Sequence, residues 1–358
     1  MRVVFLLPGR SPRPAGGFKV VYEHANRLTA DGHRVAVVHP WSCEAPASPA
    51  ERWRGRLWVA TNRGRRGWIV PWYELDERVE LPLVAHPDAA HLPVADALIA
   101  TAWQTAPWVA EAAGGPTRGF YFVQGYETWD DPETVRATWR LPLRKIVISR
   151  WLEEIADEMG EGSRTSRVPN GVDLEALGVD VPPADRPPRV GALLSPHKGE
   201  ETVAVLEAAR ERLPELEAAT FGAADRPSGL PEWVRYERLP DRATLRRLYN
   251  SCSIFLQASR QEGWGLPGSE AMACGCALVT YDNGGSREYA SDGETAVVVA
   301  VHEPARLTEA IVALAGDRER RLALASRGRE RIAEFTWERA VAAMERVLAG
   351  GPAEEDAP

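Results

Sequence analysis

Lysine and cysteine are scarce in this sequence of 358 residues. Only three lysines occur among 43 basic residues, and the cysteines are Cys43, Cys252, Cys274 and Cys276. The cysteine spacings match neither a zinc site nor a disulfide framework, so we expect buried thiols in a reducing compartment and no metal. With so few lysines in the chain, each of them is a candidate for a specific role.

Long hydrophobic runs and an excess of positive charge are also missing. The N-terminal run RVVFLL is too short for a signal peptide, and no later run approaches the length of a membrane span. The net charge of −8 argues against general nucleic-acid binding. A hydrophobic share of 44% over 358 residues fits a soluble protein of two domains. The sequence therefore predicts a cytoplasmic two-domain protein without a nucleic-acid partner.

Apolar runs alternate with helical patterns in the first half of the chain. RVVFLL is followed by a Gly16-Gly17 loop, a helical pattern from Val20 to Ala30, and a second apolar run, RVAVVHP. This order predicts a parallel strand, helix, strand unit with a right-handed crossover. Further strands are expected at ADALIATAW, GFYFVQG and KIVISR. Residues 1–172 are therefore predicted to form a parallel α/β domain.

A similar series follows a proline-rich segment, 173–186, which lacks a helical period and is predicted to link the domains. Over 187–335 the expected strands are RVGALL, AATFGA, SIFLQAS, CALVTYD and AVVVA, with helices between them. This pattern predicts a second doubly wound parallel sheet. The helix of 336–350 is expected to return to the first domain, and the acidic tail 351–358 is expected to be disordered.

The stretch EGWGLPGSE, residues 262–270, lies between a predicted strand and a predicted helix. Such a turn offers backbone N–H groups and a helix dipole to an anion. Glu262 and Glu270 bracket the turn, and carboxylates accept paired hydrogen bonds from the vicinal hydroxyls of riboses and hexoses. The pattern predicts a site for a phosphorylated, hydroxyl-bearing ligand.

Three glycines of this stretch, Gly263, Gly265 and Gly268, also satisfy the dinucleotide pattern G-x-G-x-x-G, and Asp282 ends the next strand where a ribose-binding acid would lie. That fingerprint normally occupies the first strand-helix turn of its domain, which here is SPHKG or the N-terminal Gly16-Gly17 loop, and Pro267 interrupts the pattern. A nucleotide-sugar site is therefore favoured over two alternatives, an NAD(P)-dependent oxidoreductase and a non-catalytic nucleotide-binding protein.

The SPHKG loop contains Lys198, whose compact positive charge suits a diphosphate without a metal. The alternative for Lys198 alone is a solvated loop residue. Two loops at the strand ends of one domain, one basic and one with paired carboxylates, together predict a nucleotide-sugar pocket.

At these residues the chain resembles the retaining glycosyltransferases of family 4, which have the GT-B fold of two facing Rossmann-like domains. The similarity covers nearly the whole chain and includes the Gly16-Gly17 loop, DGHRVAVV, VPNGVD, HKG and QEGWGLPGSEAMACGCALVTYDNGGSREYASDG. YFVQGYETWD and IVISRWL are similar to a subgroup that includes bacterial rhamnosyltransferases. The resemblance implies transfer of a sugar from a nucleotide-diphosphate donor, with no cofactor and no metal.

For the donor, the resemblance implies that Glu270 holds the ribose hydroxyls and that Glu262 faces the donor sugar, as a catalytic residue. The backbone N–H groups around Trp264, Gly265 and Leu266 would meet sugar hydroxyls and phosphate.

The diphosphate would be neutralised by Lys198 as a second catalytic residue, while Gly16 and Gly17 allow close backbone approach. Many family members have an arginine two residues after the glycine of the strand that precedes the lysine loop. In this sequence the corresponding glycine, Gly191, is followed by Ala192, Leu193 and Leu194. His197 is a candidate for part of that charge.

Acceptor binding is expected from polar and aromatic residues after a strand of the first domain. The candidates are Gln124, Tyr126, Glu127, Trp129 and Asp130, with Trp103 and Gln104 as weaker ones. The alternative for Tyr126 and Trp129 is that they pack the loop against its neighbours. His24 is expected on a helix surface and His33 in a turn, neither of them catalytic.

Arginine and tryptophan are concentrated in residues 51–75, outside these motifs. The region either contacts anionic lipid at the inner membrane face, because members of the family often act on lipid-linked acceptors, or forms a solvated loop. Nucleobase recognition is expected around Phe221 to Arg226 and Leu239 to Asp241.

Overall fold

The computed structural model describes residues 1–115, 118–128, 131–195 and 199–353. The chain divides into two compact units. The first comprises Met1–Pro169 together with the described residues from Glu338 to Ala353, and the second comprises Asn170–Trp337.

The first unit is built on a parallel sheet. Its strands are β1 (Arg2–Leu6), β2 (Arg34–Pro40), β3 (Leu83–Val84), β4 (Ala97–Ala100), β5 (Gly119–Val123), β6 (Arg144–Val147) and β7 (Thr165–Arg167). They lie in the order β3-β2-β1-β4-β5-β6-β7 among the described residues. Strands β4 and β5 are buried along their whole length, which explains why their sequences are continuous apolar runs rather than alternating ones.

Helices cover this sheet. They are α1 (Gly16–Ala30), α2 (Pro49–Asn62), α3 (Arg66–Ile69), α4 (Ala106–Ala113), α5 (Pro132–Trp139) and α6 (Arg150–Glu158). Helix α1 starts four residues before its predicted apolar pattern, at the glycine pair Gly16-Gly17. Its buried side contains Val20, Val21 and Leu28 at helical spacing.

Within residues 51–75, for which a solvated loop was one of the two expectations, α2 and α3 form helices and the remaining residues are loop. Ser48 caps α2 by accepting the Glu51 N–H at 3.2 Å, and Pro49 is its first residue. Glu51 Oε2 accepts the N–H of Ala47 at 2.7 Å. Ser48 and Glu51 thus each accept a backbone N–H at the start of α2, a helix-start signal that the sequence analysis overlooked.

The second unit contains another parallel sheet. Its strands are β8 (Val190–Leu193), β9 (Ala218–Gly222), β10 (Val234–Arg238), β11 (Ile254–Gln257), β12 (Ala277–Tyr281) and β13 (Ala296–Val299). They lie in the order β10-β9-β8-β11-β12-β13 within the described ranges. The order reverses between β8 and β11, and ligands of doubly wound sheets bind at the carboxyl ends of the strands at such a point.

The helices of the second unit are α7 (Gly199–Arg212), α8 (Arg242–Ser251), α9 (Leu266–Ala273), α10 (Pro304–Gly316) and α11 (Arg318–Ile332). Its core consists of apolar side chains from the strands and from α7, α10 and α11. None of the helices in the described part of the chain has the length and apolar content needed to cross a bilayer.

The final helix, α12 (Trp337–Leu348), belongs from Glu338 onward to the first unit. Arg27 Nη1 of α1 donates to Glu338 Oε1 at 2.9 Å, and His33 Nε2 lies 2.7 Å from Glu345 Oε1. The chain therefore returns to its first unit at its end, as the predicted fold required.

Candidate active site

The turn predicted from residues 262–270 connects β11 with α9 at the point where the strand order reverses. Pro267 is the second residue of α9. Gly265 precedes the helix with φ 89°, in the left-handed region that glycine adopts without strain. The Gly268 N–H donates to Gln257 Oε1 at 2.9 Å, so the end of β11 fixes the first turn of the helix.

Glu262 is held by a second glycine turn, which follows β12. The Glu262 N–H donates to Asn283 O at 2.9 Å, and the Gly285 N–H donates to Glu262 O, also at 2.9 Å. A Cβ atom on Gly285 would lie 2.3 Å from the carbonyl carbon of Gly263, so a side chain cannot be accommodated without movement of the backbone. The half-buried Glu262 is thus fixed through its main chain.

Glu270 lies in α9 with only 6% of its surface exposed. The Tyr249 O–H of α8 donates to Glu270 Oε2 at 3.0 Å. Burial, reinforced by the neighbouring Glu270 charge, raises the pKa of Tyr249 well above its usual range, so the phenol remains a donor. The sequence analysis did not identify Tyr249, because no local pattern indicates that α8 brings it to α9.

The side chain of Trp264 has a structural role. It is buried, with ring centroids 5.5 Å from Tyr289 and 5.2 Å from Phe335. The Tyr289 O–H lies 2.9 Å from Trp264 O and 2.8 Å from Gly265 O and fixes both carbonyl groups. Ligand contacts of Trp264, Gly265 and Leu266 through their N–H groups stay a prediction.

The predicted residues of the HKG loop, His197 and Lys198, lie outside the described residues. Helix α7 begins immediately afterwards, and the Gly199 N–H donates to Ser195 O at 2.9 Å. Because β8 neighbours β11 in the sheet, the HKG segment and the turn of residues 262–270 follow adjacent strands. No group of three or more His, Cys, Asp or Glu side chains suited to a metal ion occurs in the described ranges.

In the first unit, Gly16 and Gly17 are the first two residues of α1, and no side chain caps this helix. Gln124, at the end of β5, donates from Nε2 to Gly17 O at 3.2 Å. A Cβ on Gly17 would lie 3.4 Å from Gln124 Nε2, an ordinary van der Waals distance. The structure therefore brings together a predicted phosphate-binding residue and a predicted acceptor residue.

The remaining acceptor candidates differ in their surroundings. Tyr126 packs edge-on against Trp139 at 5.9 Å, and its hydroxyl accepts from Arg136 Nε at 3.0 Å, which favours the packing alternative for this residue. Glu127 Oε2 accepts the Trp103 N–H at 3.4 Å, and burial raises the pKa of Glu127. Trp129 lies outside the described residues, as does Asp130.

His24 is not a helix-surface residue as predicted, because it is fully buried in α1. The helix register places it on the sheet-facing side, where its ring lies edge-on to Phe122 at 5.5 Å. Burial lowers the pKa of His24 to about 3, so the ring is neutral near pH 7. His33 lies in the turn before β2, as predicted.

Comparisons with known proteins find similarity over part of this chain. Residues 236–331, which contain Glu262, Glu270 and Gly285, match the family model of glycosyl transferases group 1. The alpha-maltose-1-phosphate synthase of Mycolicibacterium smegmatis is 38% identical over 112 residues, which are 29% of this chain and 28% of that protein. Alignments with this and two further curated relatives span 28 to 50% of their lengths.

Solved structures agree in fold over the whole chain. Sucrose-phosphate synthase from Thermosynechococcus elongatus gives a TM-score of 0.75 at 17% identity, with 98% of both chains covered. HepE of Anabaena, in complex with UDP and glucose, gives 0.72 at 17% identity, with 98% of this chain and 99% of that one covered. The chain has the GT-B fold, and its segment 236–331, which contains both glutamates, is similar to the group 1 glycosyltransferases.

Proposed function

We propose that this protein transfers a sugar from a nucleotide-diphosphate donor to an acceptor hydroxyl, with retention of the anomeric configuration. The observation that carries the proposal is the turn between β11 and α9, where Glu262 and the buried Glu270 follow the strand at which the sheet order reverses. The complex of HepE, a protein of similar fold, with UDP and glucose supports a nucleoside diphosphate as the leaving group.

Donor binding is assigned to the second unit. Glu270 accepts hydrogen bonds from the ribose hydroxyls, and Glu262 faces the sugar. The N–H groups of Gly265 and Leu266, at the positive end of the α9 dipole, suit the diphosphate.

The main catalytic requirement is to stabilise the negative charge that develops on the leaving group. An oxocarbenium-like transition state places negative charge on the departing diphosphate, and preorganised donors lower the free energy of that state. Lys198 and His197 supply this charge in the proposal, and the N-terminus of α1 at Gly16-Gly17 adds N–H donors. With Lys198 in that role the reaction requires no metal. Retention follows if the acceptor attacks on the leaving-group face, its proton passing to a phosphate oxygen.

The acceptor is proposed to be a sugar-bearing molecule, free or linked to a lipid. Gln124 and Glu127 are the preferred contacts, because both lie at the carboxyl edge of the first sheet and neither is taken up by aromatic packing. Gln124 contacts α1, and Glu127 contacts the loop after β4 through Trp103.

Peripheral contact with anionic lipid is favoured by helix α2. Trp53 and Leu57 are 63% and 46% exposed and stand four residues apart, so they share one helix face. Arg52, Arg54 and Arg56 are exposed beside them. A helix with exposed apolar side chains among arginines is typical of proteins that lie at a negatively charged membrane surface.

The experiment that tests the activity is calorimetry with UDP, GDP, ADP, dTDP, NAD and NADP. It compares the wild type with Glu270→Ala and with a matched control, Glu211→Ala, which changes an exposed glutamate of α7. We expect one nucleoside diphosphate to bind the wild type and the control, and to bind Glu270→Ala at least about tenfold more weakly, the effect of losing a hydrogen bond to a charged group.

The selected nucleotide then directs assays with its sugar conjugates, in the presence and absence of EDTA, and NMR of the product gives the anomeric configuration. Binding of NAD or NADP, with none of the nucleoside diphosphates bound, would contradict the transferase proposal and favour the oxidoreductase. Nucleotide binding without sugar release from any conjugate would favour the non-catalytic alternative.

A further inference from the structure

Tyr249 connects the proposed ribose-binding carboxylate to the core of the second unit. Its hydroxyl lies 3.0 Å from Glu270 Oε2, and both side chains are buried. The two residues belong to different helices, α8 and α9, so the hydrogen bond is a tertiary contact.

The position of Tyr249 is fixed on two sides of its ring. The ring centroid lies 5.8 Å from Phe221 of β9 and 5.6 Å from Phe255 of β11, in edge-on arrangements. The Tyr249 carbonyl accepts the Cys252 N–H at 3.1 Å and the Cys276 S–H at 3.3 Å. The phenol is therefore a donor with a defined location relative to the strands that lead to the site.

We propose that Tyr249 is a positioning residue that orients Glu270 for recognition of the donor ribose, an inference that rests on the proposed function. A glutamate side chain has three rotatable bonds, and fixing it on ligand binding costs conformational entropy. The hydrogen bond from Tyr249 restrains the carboxylate of Glu270 before the ligand arrives. A carboxylate has about four lone-pair sites, and the hydrogen bond from Tyr249 takes up one of them.

A structural role alone would have a different consequence. If Tyr249 only stabilised the fold, its loss would weaken the binding of every nucleotide to the same extent. If it orients Glu270, its loss affects the ribose hydroxyls specifically. The decisive quantity is the ratio of the dissociation constants of 2′-deoxyUDP and UDP, or of the corresponding pair for the selected base.

The experiment measures this ratio by calorimetry for the wild type, Tyr249→Phe, Glu270→Ala, the double variant and Tyr22→Phe. Tyr22→Phe is the matched control, because Tyr22 is also fully buried and its hydroxyl lies 3.0 Å from His39 Nε2 in the first unit. We expect a ratio of about ten or more for the wild type and the control, since one hydrogen bond to a charged group is at stake. In Tyr249→Phe the ratio should fall at least threefold, and in Glu270→Ala it should approach one.

In the double variant the ratio of the two dissociation constants should be no lower than in Glu270→Ala, because Tyr249 acts through Glu270. Equal weakening of both nucleotides in Tyr249→Phe, or an unchanged ratio, overturns the positioning role and leaves the proposed activity intact. Failure of the wild type to bind any nucleoside diphosphate overturns both proposals. If Tyr249→Phe does not fold, Tyr249→Met removes the same donor with a side chain that fills irregular space, and the same ratio decides.

Discussion

Gly285 has no side chain that could take part in a reaction, yet the geometry of the candidate site depends on it. Its N–H donates to Glu262 O, and the absence of a side chain lets the turn after β12 approach Gly263 and Trp264. The neighbouring atoms are backbone atoms, which cannot move aside as the end of a flexible side chain can. The position of Glu262 therefore depends on a glycine that follows a different strand.

We predict that Gly285→Ala lowers the free energy of unfolding by about 1–3 kcal/mol, the usual effect of overpacking, and weakens nucleotide binding. The new Cβ would lie 2.3 Å from Gly263 C and 2.4 Å from Trp264 N. Denaturant unfolding and calorimetry measure the two effects. Gly229→Ala is the matched control, because Gly229 is exposed and its Cβ would meet nothing within 4 Å. If Gly285→Ala has the same stability and nucleotide affinity as the wild type, the turn accommodates the methyl group and the prediction is wrong.

The residues of the candidate site were predictable to different degrees. Glu262 and Glu270 could be proposed from the sequence because glycine, proline and paired glutamates between a strand and a helix form a local pattern. Tyr249 was not found, because its contact with Glu270 depends on the packing of α8 against α9. His24 was misjudged for a related reason, since its polarity suggested the surface while the register of α1 places it against Phe122.

Among the elements, the strands that the sequence analysis missed lie at sheet edges. Strands β3 and β7 are the two edges of the first sheet, and β10 is one edge of the second. β3 has two residues, β7 reads TSR and β10 reads VRYER. Edge strands are short and charged because half of their backbone and much of their surface meets solvent, so the apolar signal used to predict strands is missing. The central strands, buried on both faces, were all predicted.

Helix α2 gives a prediction at this scale. We expect the wild type to float with vesicles that contain phosphatidylglycerol, and the pair Trp53→Ser and Leu57→Ser to lower the partition coefficient at least about tenfold. The reason is that burying one large apolar side chain contributes about 1.5–3 kcal/mol. Flotation of the wild type with neutral vesicles, and of Arg54→Glu with phosphatidylglycerol vesicles, measures the contribution of charge to vesicle binding.

The matched control is Val94→Ser, because Val94 is an exposed apolar residue of the first unit outside α2. Its binding to the vesicles should equal that of the wild type. Equal flotation of the α2 pair and the wild type would reject a lipid-binding role for this helix.

At the scale of the whole molecule, the chain passes between its units twice, after Pro169 and again after Trp337. The second passage returns α12 to the first unit. The buried face of α12 comprises Ala340, Val341, Met344, Val347 and Leu348. With the hydrogen bonds from Arg27 to Glu338 and between His33 and Glu345, it makes the last segment of the chain part of the first unit's core.

Truncation after Trp337 should therefore destabilise the first unit although it removes only the end of the chain. Loss of Val341, Met344, Val347 and Leu348 removes about 6–12 kcal/mol of apolar burial at about 1.5–3 kcal/mol each, as much as the whole stability of a typical domain. Hydrogen exchange followed by mass spectrometry should show faster exchange in β1 and β2, and unchanged rates in β8 and β11. Truncation after Gly351 is the control, since it keeps α12 and the carbonyl that accepts from Arg144 at 3.3 Å. Native exchange rates in β1 and β2 of the shorter chain would mean that the first unit is complete without α12.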